Sequence, residues 1–249
     1  MPEPSVVLRI KRQARPGSAP YWEEFEVPFR PSMNVIAALQ AARRSATTRD
    51  GRTVDPVTWE SNCLEEVCGA CTMIVNGRVR QACSALVEHL DQPIALEPMS
   101  KFPVVRDLVV DRASMFENLK RVRAWIPIDG TYDIGPGPRM GDDEAQEGYV
   151  LSRCMSCGCC LEVCPQVNER SDFMGPAVMG QVVLFNSHPT GRLHREERLD
   201  AVMGPGGIQD CGKAQNCVRA CPKDIPLTES LVKLSRESAL FALRELLRK

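Results

Sequence analysis

The chain has 249 residues, room for two ordinary domains, and its 43% hydrophobic and 25% charged content are those of a globular protein. A formal net charge of −1 weighs against a nucleic-acid binder held by phosphate contacts. The longest uninterrupted apolar runs, Val35–Leu39 and Ala239–Leu243, fall far below the ~20 residues needed to span a bilayer, so any membrane attachment is expected to come through a partner.

In chain order, Ser5–Ile10 and Glu23–Phe29 mix β-branched or aromatic residues with polar ones. The turn residues Arg15-Pro16-Gly17-Ser18 between them predict an antiparallel hairpin. A helix is expected next. Pro31-Ser32 marks its start, Val35, Ala38, Leu39 and Ala42 share one face, and Arg43 and Arg44 fill the last turn. The polar stretch from Ser45 to Thr58 carries no periodicity and reads as a surface loop.

Cys63-x4-Cys68-x2-Cys71, followed after eleven residues by Cys83, has the plant-type spacing of a [2Fe–2S] cluster held by four thiolates. Gly69, between two of these cysteines, supplies the positive backbone torsion that a wrapping loop needs. Thr72–Val75 and Arg78–Ala82 flank Asn76-Gly77, a strong hairpin signal, which returns Cys83 to the other three. A zinc site is the competing reading, but structural zinc usually uses two separate C-x2-4-C pairs, whereas here the two spacings share Cys68. Ile94–Leu96 reads as a closing strand and Glu97-Pro98 to Pro103 as an exit, which places one domain at 1–106 and a second at 107–249.

The second half opens with a capping-box spacing from Ser114 to Glu117 and with Phe116, Leu119, Val122 and Ile126 at helical intervals, stopped at Pro127. Asp129 to Glu147, with Gly135-Pro136-Gly137-Pro138 and the acidic Asp142-Asp143-Glu144, has the composition of a surface loop. Helices are expected around Val150–Val163, over Pro176–Phe185 with Val178, Val182 and Phe185, and over Thr228–Leu247, where leucine lies on one side and Lys and Arg on the other. His188 and His194 near a turn read as solvated or hydrogen-bonding residues.

Within this half, Cys154-x2-Cys157-x2-Cys160-x3-Cys164-Pro165 is an iron–sulfur ligand run in which the fourth thiolate serves a second cluster. The second copy is Cys211-x2-Ala214-x2-Cys217-x3-Cys221-Pro222, with Ala214 where the middle cysteine would stand. By the crossing rule, Cys154, Cys157, Cys160 and Cys221 supply four thiolates for a [4Fe–4S] cluster. Cys164, Cys211 and Cys217 supply only three, which predicts a [3Fe–4S] cluster. Cys159 is left over and reads as a small buried residue packed beside the cluster. Twelve cysteines would suit a disulfide scaffold in a short secreted chain. Here MPEPSVVLRIKRQ shows no apolar signal segment, and a reducing compartment is expected.

These three motifs in series closely resemble the iron–sulfur subunit of succinate dehydrogenase and fumarate reductase, and the resemblance covers nearly the whole chain. It implies an α+β fold: an N-terminal β-grasp, plant-type ferredoxin-like domain and a C-terminal all-α domain like a bacterial two-cluster ferredoxin. It implies an electron route from FAD in a flavoprotein subunit through [2Fe–2S], [4Fe–4S] and [3Fe–4S] to a quinone at a membrane-anchor cytochrome b subunit. Attachment would be peripheral, at the cytoplasmic face of the cell membrane. Ubiquinone-type members carry tryptophan and histidine at the positions of Asn168 and Gly212, so this sequence looks like the menaquinone-linked branch with a di-haem b anchor. No G-x-G-x-x-G flavin fingerprint follows a strand, so the dicarboxylate site is expected on a partner, and the 24 arginines are expected at surfaces and interfaces. Three other readings use the same motifs in part: the ferredoxin-like subunit of another flavoenzyme, a zinc-stabilised module, and a fumarate reductase working in the opposite direction.

Overall fold

The computed structural model describes residues 4–126 and 139–248; the segment Gly135-Pro136-Gly137-Pro138 and the expected helix stop at Pro127 lie outside the described residues. The chain forms two compact units, Met1–Arg112 with Met155–Glu162, and Ala113–Cys154 with Val163–Lys249.

The first unit is a β-grasp. Strands β1 (Ser5–Arg12) and β2 (Tyr21–Pro28) form the expected antiparallel hairpin, with Leu8 opposite Phe25. β3 (Thr72–Val75) and β4 (Arg78–Gln81) form the second hairpin, and its turn residues Asn76 and Gly77 both have positive φ, 48° and 76°. β5 (Ile94–Glu97) enters the middle, parallel to β1 and antiparallel to β3, giving the order β2-β1-β5-β3-β4. Every second residue of β1, namely Val6, Leu8 and Ile10, is fully buried, and helix α1 (Val35–Ser45) covers that face with Val35, Ile36, Ala38, Leu39 and Ala42. The helix starts two residues later than Pro31-Ser32 suggests. Its N-cap is Asn34, whose side chain accepts from the Ala37 amide at 2.9 Å, while Ser32 sits outside it with φ 60°. A short hairpin, β6 (Val104–Arg106) with β7 (Val109–Val110), closes the unit.

One arginine in this unit is not at the surface. Arg12 is 2% exposed and donates to Glu23 at 2.6 Å, to Asp107 at 2.9 Å and to the Asp55 carbonyl at 2.9 Å. Asp107 also accepts from the Thr58 amide and hydroxyl, both at 3.0 Å, so one buried charge network fastens the 45–58 loop to the end of β6.

The second unit is helical among its described residues. α2 (Ala113–Arg121) buries Met115, and Val122 follows it; Phe116, expected on the buried face, is largely exposed, and Ile126 lies beyond the helix. α3 (Asp142–Ser152) occupies ground expected to be loop. Asp142, Asp143 and Glu144 form its first turn, where carboxylates favour a helix by meeting its positive end. The one-turn helix α4 (Cys159–Glu162) belongs to the first unit. α5 (Pro176–Ser187) is buried on nearly all sides and packs against α3 and against the long α8 (Leu227–Arg248). Gly180 permits that approach, since a Cβ there would meet a Leu227 methyl at 3.0 Å. α6 (Arg195–Met203) carries Arg198, fully buried, whose guanidinium donates to the carbonyls of Arg123, Trp125 and Gly191 and to the Asn186 side chain. Burial pulls its pKa down from the usual range. α7 (Asn216–Arg219) is a single turn before α8. No helix among the described residues is long and apolar enough to cross a membrane.

Candidate metal centres

The loop after Thr58 is shaped around the sulfur of Cys63. Leu64, Glu66 and Gly69 all take positive φ, 62°, 55° and 69°, which turns successive amides inward. The amides of Glu65, Val67 and Cys68 reach Cys63 Sγ at 3.4, 3.4 and 3.3 Å, and the Ala70 amide reaches Cys68 Sγ at 3.5 Å. Those donors favour the anionic form, so the Cys63 thiol is held down to about 7, with the Glu65 amide contributing most. Cys71 is buried, which pushes its thiol up to about 11, and Cys83, which β4 returns to the site, hydrogen-bonds with it. The Asn34 side-chain amide donates to the Cys83 carbonyl at 2.9 Å, so the capping residue of α1 also positions a cysteine. The sequence gives no sign of that link. The structure therefore brings together Cys63 with Cys68 and Cys71 with Cys83, and it surrounds the more exposed pair with N–H donors suited to thiolate and sulfide.

The first ligand run is divided between the two units. Cys157, Cys159 and Cys160 belong to the sheet unit, and Cys154, Cys164 and Cys221 to the helical one. Within the sheet unit, Ser156 and Gly158 flank Cys157 with φ 50° and 89°. The Glu162 carboxylate accepts from Ser100 and from the Lys101 amide at 3.1 Å, holding α4 down. Gly69 lies directly against Cys157: a Cβ there would come within 2.7 Å of Cys157 Cα, so only glycine fits. Cys157 is held down to about 7, chiefly by a hydrogen bond from Cys159.

In the helical unit, Cys164, Cys211 and Cys217 line one cavity of about 300 Å³, and Ala214 lines it with them. Cys211 leaves a short 3-10 turn, Ile208–Asp210, and Cys217 sits in α7. Positive φ at Lys213 and Gln215, 55° and 60°, bends the chain around the Ala214 methyl. Pro176, Ile208, Leu231 and Val232 make the rest of the wall largely apolar, and burial pushes the Cys217 thiol up. Gly212 lies against Gln166, whose amide nitrogen is 2.5 Å from where a Cβ would stand. Asn168 closes a local turn, donating to the Pro165 carbonyl at 2.8 Å and accepting from the Arg170 amide at 2.9 Å. Away from these cysteines, His188 accepts from the amides of Thr190 and Gly191, and His194 pairs with Glu197. Among the described residues, no three His, Cys, Asp or Glu side chains are grouped as the ligands of one mononuclear ion would be.

The donor sets fit iron–sulfur clusters. They are all thiol, with amide N–H groups aimed at sulfur in one site and a cavity of suitable size in another. Residues 7–117 match the family model described as 2Fe-2S iron-sulfur cluster binding domain, and residues 150–225 match the 4Fe-4S dicluster domain. Fold and motifs together thus define a multi-cluster iron–sulfur protein. The chain is 59% identical to the succinate dehydrogenase iron-sulfur subunit of Bacillus subtilis over 94% of its own length and 93% of that protein's. It is 31% identical to the fumarate reductase iron-sulfur subunit of Wolinella succinogenes, over 88% and 90%. A chain of the Mycobacterium smegmatis Sdh1 complex in the apo form shares the fold, with a TM-score of 0.78 and 23% identity, over 94% and 95%. The protein belongs to the family of succinate dehydrogenase and fumarate reductase iron–sulfur subunits.

Proposed function

We propose that this chain is the electron-transfer subunit of a succinate:quinone oxidoreductase, the succinate dehydrogenase of the tricarboxylic acid cycle. In this reading Cys63, Cys68, Cys71 and Cys83 hold [2Fe–2S]; Cys154, Cys157, Cys160 and Cys221 hold [4Fe–4S]; and Cys164, Cys211 and Cys217 hold [3Fe–4S]. A bound iron–sulfur cluster supplies a one-electron redox centre, and three in series let the two-electron oxidation of a dicarboxylate proceed in single steps. The chain's own residues seat the clusters, aim amides at thiolate sulfur and leave one corner without a ligand at Ala214.

The observation that carries this reading is the cavity lined by Cys164, Cys211 and Cys217 together with Ala214. Ala214 removes the fourth thiolate without filling the space, which favours a three-iron cluster over a four-iron one. The similarity to the Bacillus subtilis subunit favours succinate oxidation, since the relatives named fumarate reductase are more distant. Asn168 and Gly212, in place of tryptophan and histidine, support menaquinone as acceptor. The partners would then be a flavoprotein carrying FAD and a cytochrome b anchor carrying haem and the quinone site, with this chain held peripherally at the cytoplasmic face of the membrane.

Anaerobic iron and acid-labile sulfide analysis with EPR tests the assignment. The ligand count predicts two, four and three irons, about nine per chain, with a three-iron signal in the oxidised protein and a two-iron signal on reduction. Zinc without sulfide would defeat it, and about ten irons would place a fourth ligand at the Ala214 corner.

A further inference from the structure

Arg112, which follows β7 in the sheet unit, is outside the ligand set, and its contacts are specific. Its side chain is 16% exposed. Nη1 of the guanidinium donates to the Gly69 carbonyl at 3.1 Å, and Nη2 donates to Glu60 Oε2 at 3.0 Å. The Gly69 carbonyl also accepts from the Thr72 hydroxyl at 2.8 Å, so both of its lone pairs are engaged. That carbonyl shares a peptide bond with the Ala70 amide, which donates to Cys68 Sγ at 3.5 Å. One planar peptide thus stands between a cation and the sulfur of Cys68, with the guanidinium at its oxygen end and the sulfur at its N–H end.

Holding the loop does not require the cation. Thr72 is buried and is itself fixed by Gln81 Nε2 at 3.1 Å, so its hydroxyl already ties down the Gly69 carbonyl. What Arg112 adds is charge. A cationic donor on the carbonyl draws electron density from the amide, through the same resonance that keeps the peptide flat, and makes its N–H a stronger donor. Reduction adds one negative charge to an iron–sulfur cluster, so a stronger N–H on a ligand sulfur and a nearby positive charge both favour the reduced state. Glu60 works the other way. Its carboxylate, 46% exposed, offsets part of the guanidinium charge.

Resting on the cluster assignment above, we propose that Arg112 is a positioning residue for the two-iron cluster, acting on the Cys68 sulfur through the peptide that joins Gly69 to Ala70. It raises the reduction potential of that cluster, and Glu60 limits the rise.

The experiment is a potentiometric titration of the intact complex, read by EPR, in the wild type and in Arg112→Leu, Arg112→Lys and Glu60→Gln variants. Arg112→Leu is expected to lower the midpoint of the two-iron signal by about 59 mV, a tenfold change in a one-electron equilibrium, while that of the three-iron signal stays in place. Arg112→Lys, which keeps the charge, should recover most of the loss. Glu60→Gln should move the midpoint upward. An unmoved midpoint in Arg112→Leu overturns the proposal, as does a lysine variant shifted as far as the leucine one. If Arg112→Leu loses its two-iron signal, Glu60→Gln decides, because it leaves the guanidinium on the Gly69 carbonyl: a raised midpoint sustains the proposal, and one that stays or falls overturns it. A wild-type complex without the predicted iron and sulfide defeats the cluster assignment instead, before any variant is compared.

Discussion

Cys63, Cys68, Cys71 and Cys83 come from one loop and the hairpin that follows it, and the loop's own amides surround the sulfur of Cys63. Cys164, Cys211 and Cys217 come from separate segments between helices and meet around a largely apolar cavity. The first site is therefore specified by short-range backbone geometry, and the second by how helices pack. The buried arginines follow the same division. In the sheet unit Arg12 is balanced by two carboxylates, whereas in the helical unit Arg198 spends its donors on three carbonyls and an amide oxygen.

The largest effects should come from removing a thiolate. Cys71→Ala is expected to cost the protein its two-iron signal, and Cys164→Ala its three-iron signal. Either should drop electron transfer to quinone to background, with the other clusters retained by metal analysis; loss of all iron in both variants would erase the contrast between a loop site and a packing site.

Next in size are the two arginines. Arg12→Leu strands Glu23 and Asp107 as buried charges and should cost about 3–5 kcal/mol. Arg198→Met strands only neutral acceptors and should cost about 1–3 kcal/mol. Denaturant midpoints of the cluster-loaded protein would rank them, and the reverse order would refute this account of the two units.

A smaller and more local change is expected from Ala214→Cys. A thiol in place of that methyl completes a four-cysteine set, so the protein should gain one iron per chain and lose the oxidised three-iron signal. An unchanged iron count would show that this methyl does not occupy the missing corner.

The smallest effect concerns cluster-free protein. The Cys63 thiol is held down to about 7 and Cys71 is pushed up to about 11, so alkylation of Cys63 should be half-maximal near neutrality and Cys71 should resist until strongly alkaline pH. Because the Cys63 value is depressed on folding, its thiolate's contribution to stability is complete above the ordinary thiol range and is lost as pH falls through about 7. Mass spectrometry of iodoacetamide-treated protein across pH would read this directly, and equal reactivity of the two thiols would contradict it.

Much of the fold was legible because its signals are local. The two hairpins follow from alternation and from Asn76-Gly77, and α5 and α8 from their apolar residues. The failures have physical causes. α3 opens on acidic residues that compose well as loop but serve as a helix first turn. α6 hides its periodicity because one of its buried residues is Arg198, and the inward face of α2 is carried by Met115 rather than Phe116.

What the sequence determined by itself was the spacing of the cysteines, on which the proposed cluster types rest, because their separation along a short run is a covalent property. Tertiary structure alone decided which groups stand beside those thiolates. It set the Asn34 cap on Cys83, Gly69 against Cys157, Gln81 on Cys159, and the cavity around Ala214. Each of these joins residues far apart in the chain, and their meeting depends on the sheet register and helix packing that only the folded core fixes.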